Sequence, residues 1–246
     1  MASIYDLKPA FQRLLRPLVA GLVRAGVTPN QVTVGALLLS AAVGVVVAWT
    51  RARWSLLLLP PALLARMALN ALDGMMAREH GMKTRLGSLL NELGDVLSDA
   101  LLYLPLALVP GWPAAAVVCA VVLAGASELA GVAAVQAGAS RRYDGPMGKS
   151  DRAAVFGALG LALGLGAPAG RWLEVVMWIV VGLLALTIAN RVRHALREGS
   201  HADAGVAAAV TTHPATTPSP AGDSAIAAAA TSRAATPPRA DGAPVR

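Results

Sequence analysis

The chain has 246 residues, 56% of them hydrophobic and 14% charged, with 21 Lys and Arg against 14 Asp and Glu and a mean hydropathy of +0.58. An ordinary soluble domain is about 45–50% apolar and about 25% charged, so a soluble single-domain enzyme and a wholly disordered chain are excluded; the single cysteine, Cys119, excludes an intrachain disulfide scaffold. The net charge of +7 requires no nucleic acid, because in so apolar a chain basic residues flanking membrane spans account for it.

Residues 1–27 come first. Leu7, Phe11, Leu14, Leu18 and Leu22 recur at the period of one helical face, with Lys8, Arg13, Arg16 and Arg24 on other faces. A signal peptide needs an uninterrupted apolar region, which is not there. The pattern predicts an amphipathic helix lying in the membrane interface.

A helix needs about 20 apolar residues to cross a bilayer. Six stretches qualify, at roughly 30–50, 54–74, 87–109, 114–138, 153–170 and 172–190. The fold class expected is therefore an all-α integral membrane protein, six transmembrane helices preceded by an interfacial helix. Thr28 is placed to cap the first span, with Pro29 at its first helical position. Pro60-Pro61 predicts a kink in the second. Trp49, Trp54, Trp112 and Trp172 fall at outer span ends, as an aromatic belt would. Gly157, Gly160, Gly164 and Gly166 follow no strand and read as close helix packing or a dimer face. Residues 28–197 form the membrane domain. Residues 198–246, rich in Ala, Pro and Thr with no Leu, Met or aromatic side chain from 200 onward, read as a disordered tail.

Orientation follows from the basic residues. Those of the N-terminal helix, Arg78, Lys83, Arg85, Arg141, Arg142, Lys149, Arg152, Arg191, Arg193 and Arg197 fall on one side; Arg51, Arg53 and Arg171 fall on the other. The asymmetry predicts a multi-pass inner-membrane protein with both termini and the active site facing the cytoplasm.

Charged groups within a membrane are costly, about 2.5–3.5 kcal/mol each on insertion scales, and so mark function. The second and third spans carry Arg66, Asp73, Glu92, Asp95 and Asp99, and the fourth carries Glu128. Asn70 and Asp73 share one helical face, and Asn91, Asp95 and Asp99 share another on the antiparallel neighbour. Oxygen donors without Cys or His suit Mg²⁺, Mn²⁺ or Ca²⁺. Gly74, Ala77 and Gly87 leave room beside them, and Arg78, Lys83 and Arg85 are placed to hold phosphate oxygens. Arg66 and Asp99 lie at similar depth, so an ion pair competes with Asp99 as a metal ligand. Glu128 reads as a buried interhelical hydrogen bond, with an acceptor-pocket role as the alternative.

The run Asn70-x2-Asp73-Gly74-x2-Ala77-Arg78, eight residues, Gly87-x3-Asn91-x3-Asp95 resembles the signature of the CDP-alcohol phosphatidyltransferase family. Thr28-Pro29-Asn30-x2-Thr33 and Gly148-Lys149 resemble that family's lead-in and phosphate-binding loop. The resemblance implies a homodimer whose cytoplasm-facing cavities take CDP-diacylglycerol and a small alcohol acceptor, among membrane lipids and without nucleic acid. It implies nucleotide and phosphate binding at Gly74, Ala77, Arg78, Thr84, Arg85 and Gly87. It further implies Mg²⁺ or Mn²⁺, one or two ions, at Asn70, Asp73, Asn91 and Asp95, with Asp95 as the general base; Asp99, outside the signature, is a further candidate ligand. An anionic acceptor, such as a phosphorylated polyol, would meet Arg141, Arg142, Lys149 and Arg152; the same cluster also reads as topology-setting charge.

Two of the family's four aspartates are asparagines here, Asn70 and Asn91. Glu92 and Asp99 restore the charge count if they reach the site. Three outcomes follow: an active enzyme with shifted ligands, an active enzyme with one metal or weak metal binding, or a lipid-binding or scaffold relative without chemistry. A small transporter is a further class, for which no inverted repeat is visible.

Overall fold

The computed structural model describes residues 4–212, with side-chain surroundings for 11–199. Helix α1 (Ile4–Arg24) is followed by α2 (Pro29–Thr50), α3 (Leu59–Glu79), α4 (Arg85–Tyr103), α5 (Ala114–Ala133), α6 (Lys149–Gly164) and α7 (Arg171–Thr212). No strand occurs among the described residues. Among the described residues four segments are long and apolar enough to cross a membrane: Pro29–Thr50, Arg53–Glu79, Ala114–Ala133 and Arg171–Gly199. The other two expected spans fall short of that standard for different reasons. Helix α4 carries Glu92, Asp95 and Asp99, and α6 has 16 residues.

The first helix buries Leu15 and Val19 against Val32, Leu72, Met75 and Met76. Phe11, Leu14 and Leu18, from the stripe read in the sequence, stay exposed. The helix thus has two apolar faces, one against the bundle and one turned outward. Thr28 caps α2 reciprocally: its hydroxyl accepts from the Gln31 N–H, and Gln31 Oε1 accepts from the Thr28 N–H at 2.8 Å.

Pro60-Pro61 marks a change of helix type within the Arg53–Glu79 segment. A 3-10 segment (Arg53–Leu58) ends there, and both prolines sit in the first turn of α3, where a missing N–H costs nothing. Helix α2 packs on α3 and α4, α3 packs on α6, and α4 on α5. At Gly44 the contact is so close that a Cβ would strike the Leu101 carbonyl. Gly160 and Gly164 lie against Leu56, Leu57 and Leu59, so these glycines serve packing within the chain. Tyr103 and Phe156 stack at 4.1 Å between centroids, and Trp112 lies parallel to Phe156 at 6.4 Å. Trp112 is therefore a core residue and not part of a belt, whereas Trp49, Trp54 and Trp172 are exposed as expected.

The described residues up to 202 form one compact unit, and those from 203 belong to a second. Helix α7 runs to Thr212, past residue 198 where the tail was expected to begin. The Ala-rich sequence here has high helix propensity, which outweighs its lack of large side chains. The rest of the expected tail lies outside the described residues.

Candidate functional site

The C-terminal half of α3, the N-terminal half of α4 and the loop between them enclose a cavity of about 410 Å³. Asn70, Asp73, Gly74, Ala77 and Arg78 line it from α3, and Gly87 and Asn91 from α4. These are the signature residues apart from Asp95, brought to one place. Lys83 and Thr84 join from the loop, Pro29, Asn30 and Thr33 from α2, and Arg141 and Tyr143 from the segment before α6. Arg85, expected at the phosphate site, is exposed and does not line the cavity.

Local structure explains the placement. Thr33, one helical turn into α2, donates its hydroxyl to Asp73 Oδ2 at 2.7 Å. Thr84 caps α4 by accepting from the Gly87 N–H at 2.9 Å. A Cβ on Gly87 would sit 2.7 Å from Asn30 Oδ1 and 2.9 Å from Thr84 Oγ1, so any larger residue would push the Asn30 and Thr84 side chains aside. Gly74 lies under the Arg78 guanidinium, 3.1 Å from where its own Cβ would be.

Asp95 sits one turn deeper and does not line the cavity. Its Oδ1 accepts from Asn70 Nδ2 at 3.0 Å and contacts the Lys149 ammonium. Arg66 Nη2 is 3.8 Å from the same oxygen and donates to the Asp95 carbonyl at 2.9 Å. All three side-chain contacts fall on Oδ1.

Below this lies a buried chain of alternating charge. Arg66 pairs with Asp99 Oδ1, and Arg152 donates to Asp99 Oδ2 from Nε at 3.0 Å and Nη2 at 2.8 Å. Arg152 Nη2 also donates to Glu128 Oε1 at 3.0 Å, and Glu128 Oε2 lies 3.6 Å from Arg191 Nη1. Arg66, Arg152 and Arg191 are each no more than 3% exposed. Burying charges at such depth is tolerable only when they are paired and hydrogen-bonded. Of the two readings of Asp99, the ion pair is the one present; both oxygens are engaged by arginine. Glu128 likewise ties α5 to α6 and α7.

The four basic residues assigned to an acceptor do not form one anion pocket. Arg141 is held by both oxygens of Glu92 and stacks over the Tyr143 ring at 4.9 Å. Arg142 pairs with Glu198, and Asp144 lies 3.7 Å away. Lys149 is on Asp95, and Arg152 is inside the buried chain. Only Arg141 of the four lines the cavity. Burial opposes the Arg141 charge, but the Glu92 bond outweighs it and raises the guanidinium pKa above its ordinary value. Sequence reading had Thr33 only as part of a lead-in pattern and did not pair Glu92 with Arg141, because partners so far apart in sequence leave no periodic signal.

Few charged donors are left free to hold a divalent cation. Of the four signature positions only Asp73 and Asp95 carry charge, and the Asp95 oxygen already meets an ammonium and an amide N–H. Glu92 and Asp99, the candidates to restore the count, are taken by Arg141, Arg66 and Arg152. Among the described residues no three His, Cys, Asp or Glu side chains converge as a metal site. Asp73, flanked by the amides of Asn70 and Asn91 on the cavity wall, is what remains.

Residues 26–189 match the model of the CDP-alcohol phosphatidyltransferase family. The chain belongs to that family. It is 43% identical over 195 residues to the inner membrane protein YnbA of Escherichia coli K12, spanning 79% of this chain and 96% of that one. It is 36% identical over 98 residues to the phosphatidylinositol phosphate synthase of Mycobacterium marinum, about two fifths of either chain. Among solved structures, the Mycobacterium tuberculosis phosphatidylinositol phosphate synthase with CDP-DAG bound superposes with a TM-score of 0.64 at 24% identity, covering 74% of this chain and 94% of that one. The same enzyme in complex with manganese and citrate gives 0.62 over 73% and 87%. That likeness is one of fold. This family member keeps the signature's spacing and glycines while replacing its first and third acids by amides.

Proposed function

We propose that the protein transfers the phosphatidyl group of CDP-diacylglycerol to the hydroxyl of a small polar alcohol, releasing CMP, as a six-span homodimer with its cavity on the cytoplasmic side. The observation that carries this reading is the convergence of Asn70, Asp73, Gly74, Ala77, Arg78, Gly87 and Asn91 on one cavity. Support for the orientation comes from Arg78, Lys83 and Arg141 gathering at the same end as the cavity. The dimer rests on the family resemblance.

In this mechanism Gly74 and Ala77 admit the nucleotide against the α3 backbone, and Arg78 and Lys83 bind the diphosphate oxygens. Asp73, oriented by Thr33, and the amides of Asn70 and Asn91 would hold the divalent cation. Bound there, the ion supplies charge that offsets the diphosphate and the departing CMP. Asp95, one turn below the cavity lining with its side chain still 23% exposed, is the general base: its Oδ1 is fixed by Asn70 and Lys149, and the uncommitted Oδ2 takes the proton of the acceptor hydroxyl as that oxygen attacks the phosphatidyl phosphorus. The phosphorus–oxygen bond to CMP then breaks. A phosphorylated acceptor draws less support than the sequence suggested, because Arg141, Arg142, Lys149 and Arg152 each have a carboxylate partner.

The second reading, a lipid-binding or scaffold protein that has lost the chemistry, draws on Asn70, Asn91 and the ion-paired state of Glu92 and Asp99. The variants decide between the two. Purified protein with CDP-diacylglycerol, Mn²⁺ and a panel of alcohols should release CMP. Asp95→Asn should lower that release by about 10²–10⁴-fold, the usual worth of a positioned acid–base group, and Asp73→Asn should abolish it by removing the cation's charged ligand. A wild-type rate no higher than that of the variants favours the second reading.

A further inference from the structure

Asn70 and Lys149 change the character of the Asp95 side of the site. Where an aspartate would accept, Asn70 donates: its Nδ2 is 3.0 Å from Asp95 Oδ1. On that same oxygen rests the ammonium of Lys149, the first residue of α6. The start of α6 is fixed by the Gly148 N–H donating to Asp151 Oδ2 at 2.9 Å, so Lys149 reaches Asp95 from a defined helix end. Arg66 adds a second positive group, 3.8 Å from that oxygen and itself 3% exposed. A divalent ion bridging positions 70 and 95 would have to displace an ammonium, face an amide N–H and sit beside a guanidinium.

We propose that the Lys149 ammonium is a built-in cation that replaces one of two metal ions, so that this site works with a single divalent cation held on the Asp73 side of the cavity. The charges agree. Asp73, Asp95 and Lys149 together carry one negative charge. One divalent ion converts that to a single positive charge, suited to a diphosphate, whereas two would leave three positive charges with Arg78 and Lys83 still to be added. The two asparagines and the lysine then form one set: the amides remove the charge that a second ion would need, and the lysine supplies the cation. The inference rests on reading the cavity as a site for a diphosphate donor, and it adds the number of ions and the role of Lys149.

The test is a Mn²⁺ titration of the full chain in lipid nanodiscs, read by calorimetry and by electron paramagnetic resonance of free Mn²⁺, with no substrate present. The wild type should bind one Mn²⁺ per chain, and so should Lys149→Arg. In an Asn70→Asp, Asn91→Asp background, removing the ammonium with Lys149→Met should tighten a second site at least tenfold relative to the same background with Lys149 kept. Two ions or none in the wild type, or a second site indifferent to Lys149, would overturn the proposal. Size-exclusion profiles report folding, and the wild-type stoichiometry decides alone if the triple variant does not fold. One ion with no transfer to any alcohol would overturn the proposed reaction and leave this inference intact; two ions with transfer would do the reverse.

Discussion

Asp95 and Asp99 lie on one face of α4, one turn apart, and their neighbours give them different work. Asp99 is 4% exposed and clasped by two arginines; Asp95 is less buried, at 23% for its side chain, with one oxygen committed. Asp99→Asn should therefore act on stability. Removing one partner of a buried ion pair leaves uncompensated charge and costs about 3–5 kcal/mol, seen as a lowered unfolding midpoint in detergent, while the Mn²⁺ affinity of the remaining folded protein stays unchanged. A lost Mn²⁺ site with unaltered stability would instead make Asp99 a ligand. Reading the sequence narrowed this residue to two roles, since depth along a helix follows from residue count. It did not choose between them, because Arg152, the second arginine on Asp99, arrives from α6 and has no fixed spacing to α4.

At the scale of the element, two glycines of α2 behave differently for reasons visible only in three dimensions. Gly44 meets the Leu101 carbonyl of the neighbouring helix, whereas a Cβ on Gly35 would point into open space. Gly44→Ala should cost about 1–3 kcal/mol through overpacking. Gly35→Ala should be neutral or stabilising by up to about 1 kcal/mol, from helix propensity alone. Thermal unfolding of the two variants in the same detergent checks the contrast, and equal effects would contradict the packing described for α2 and α4. The periodic and capping signals transferred well to structure at this scale: the Thr28 cap and the order of the helices follow from local chemistry. Proline disrupts a helix interior yet suits its first turn, and only the 3-10 segment before Pro60-Pro61 shows that both stand in the first turn of α3. Trp112 was misread because an aromatic at a span end is equally suited to lipid headgroups and to a ring partner, here Phe156. The basic stretch from Arg141 to Arg152, the loop before α6 and its first turn, looked like an anion pocket for a similar reason. Its positive residues are adjacent in sequence, but Glu92, Asp95, Asp99 and Glu198, which neutralise them, come from other helices.

The whole molecule is a family member whose signature keeps its spacing and loses half its carboxylates. Its membrane orientation can be tested by cysteine labelling in a Cys119→Ala background. His80→Cys, at the end of α3, should react with an impermeant thiol reagent only from the cytoplasmic side, and Arg53→Cys only from the outer side; the opposite pattern would invert the proposed topology. The central claim is that transfer chemistry survives the two asparagines. The most direct measurement uses CDP-diacylglycerol labelled in its phosphatidyl phosphate, reconstituted wild-type protein, Mn²⁺ and single alcohols supplied in turn. The account predicts a new labelled lipid that appears only with one class of alcohol, in step with CMP and absent in Asp73→Asn. CDP-diacylglycerol left intact with every alcohol, by protein that still binds one Mn²⁺, would contradict it.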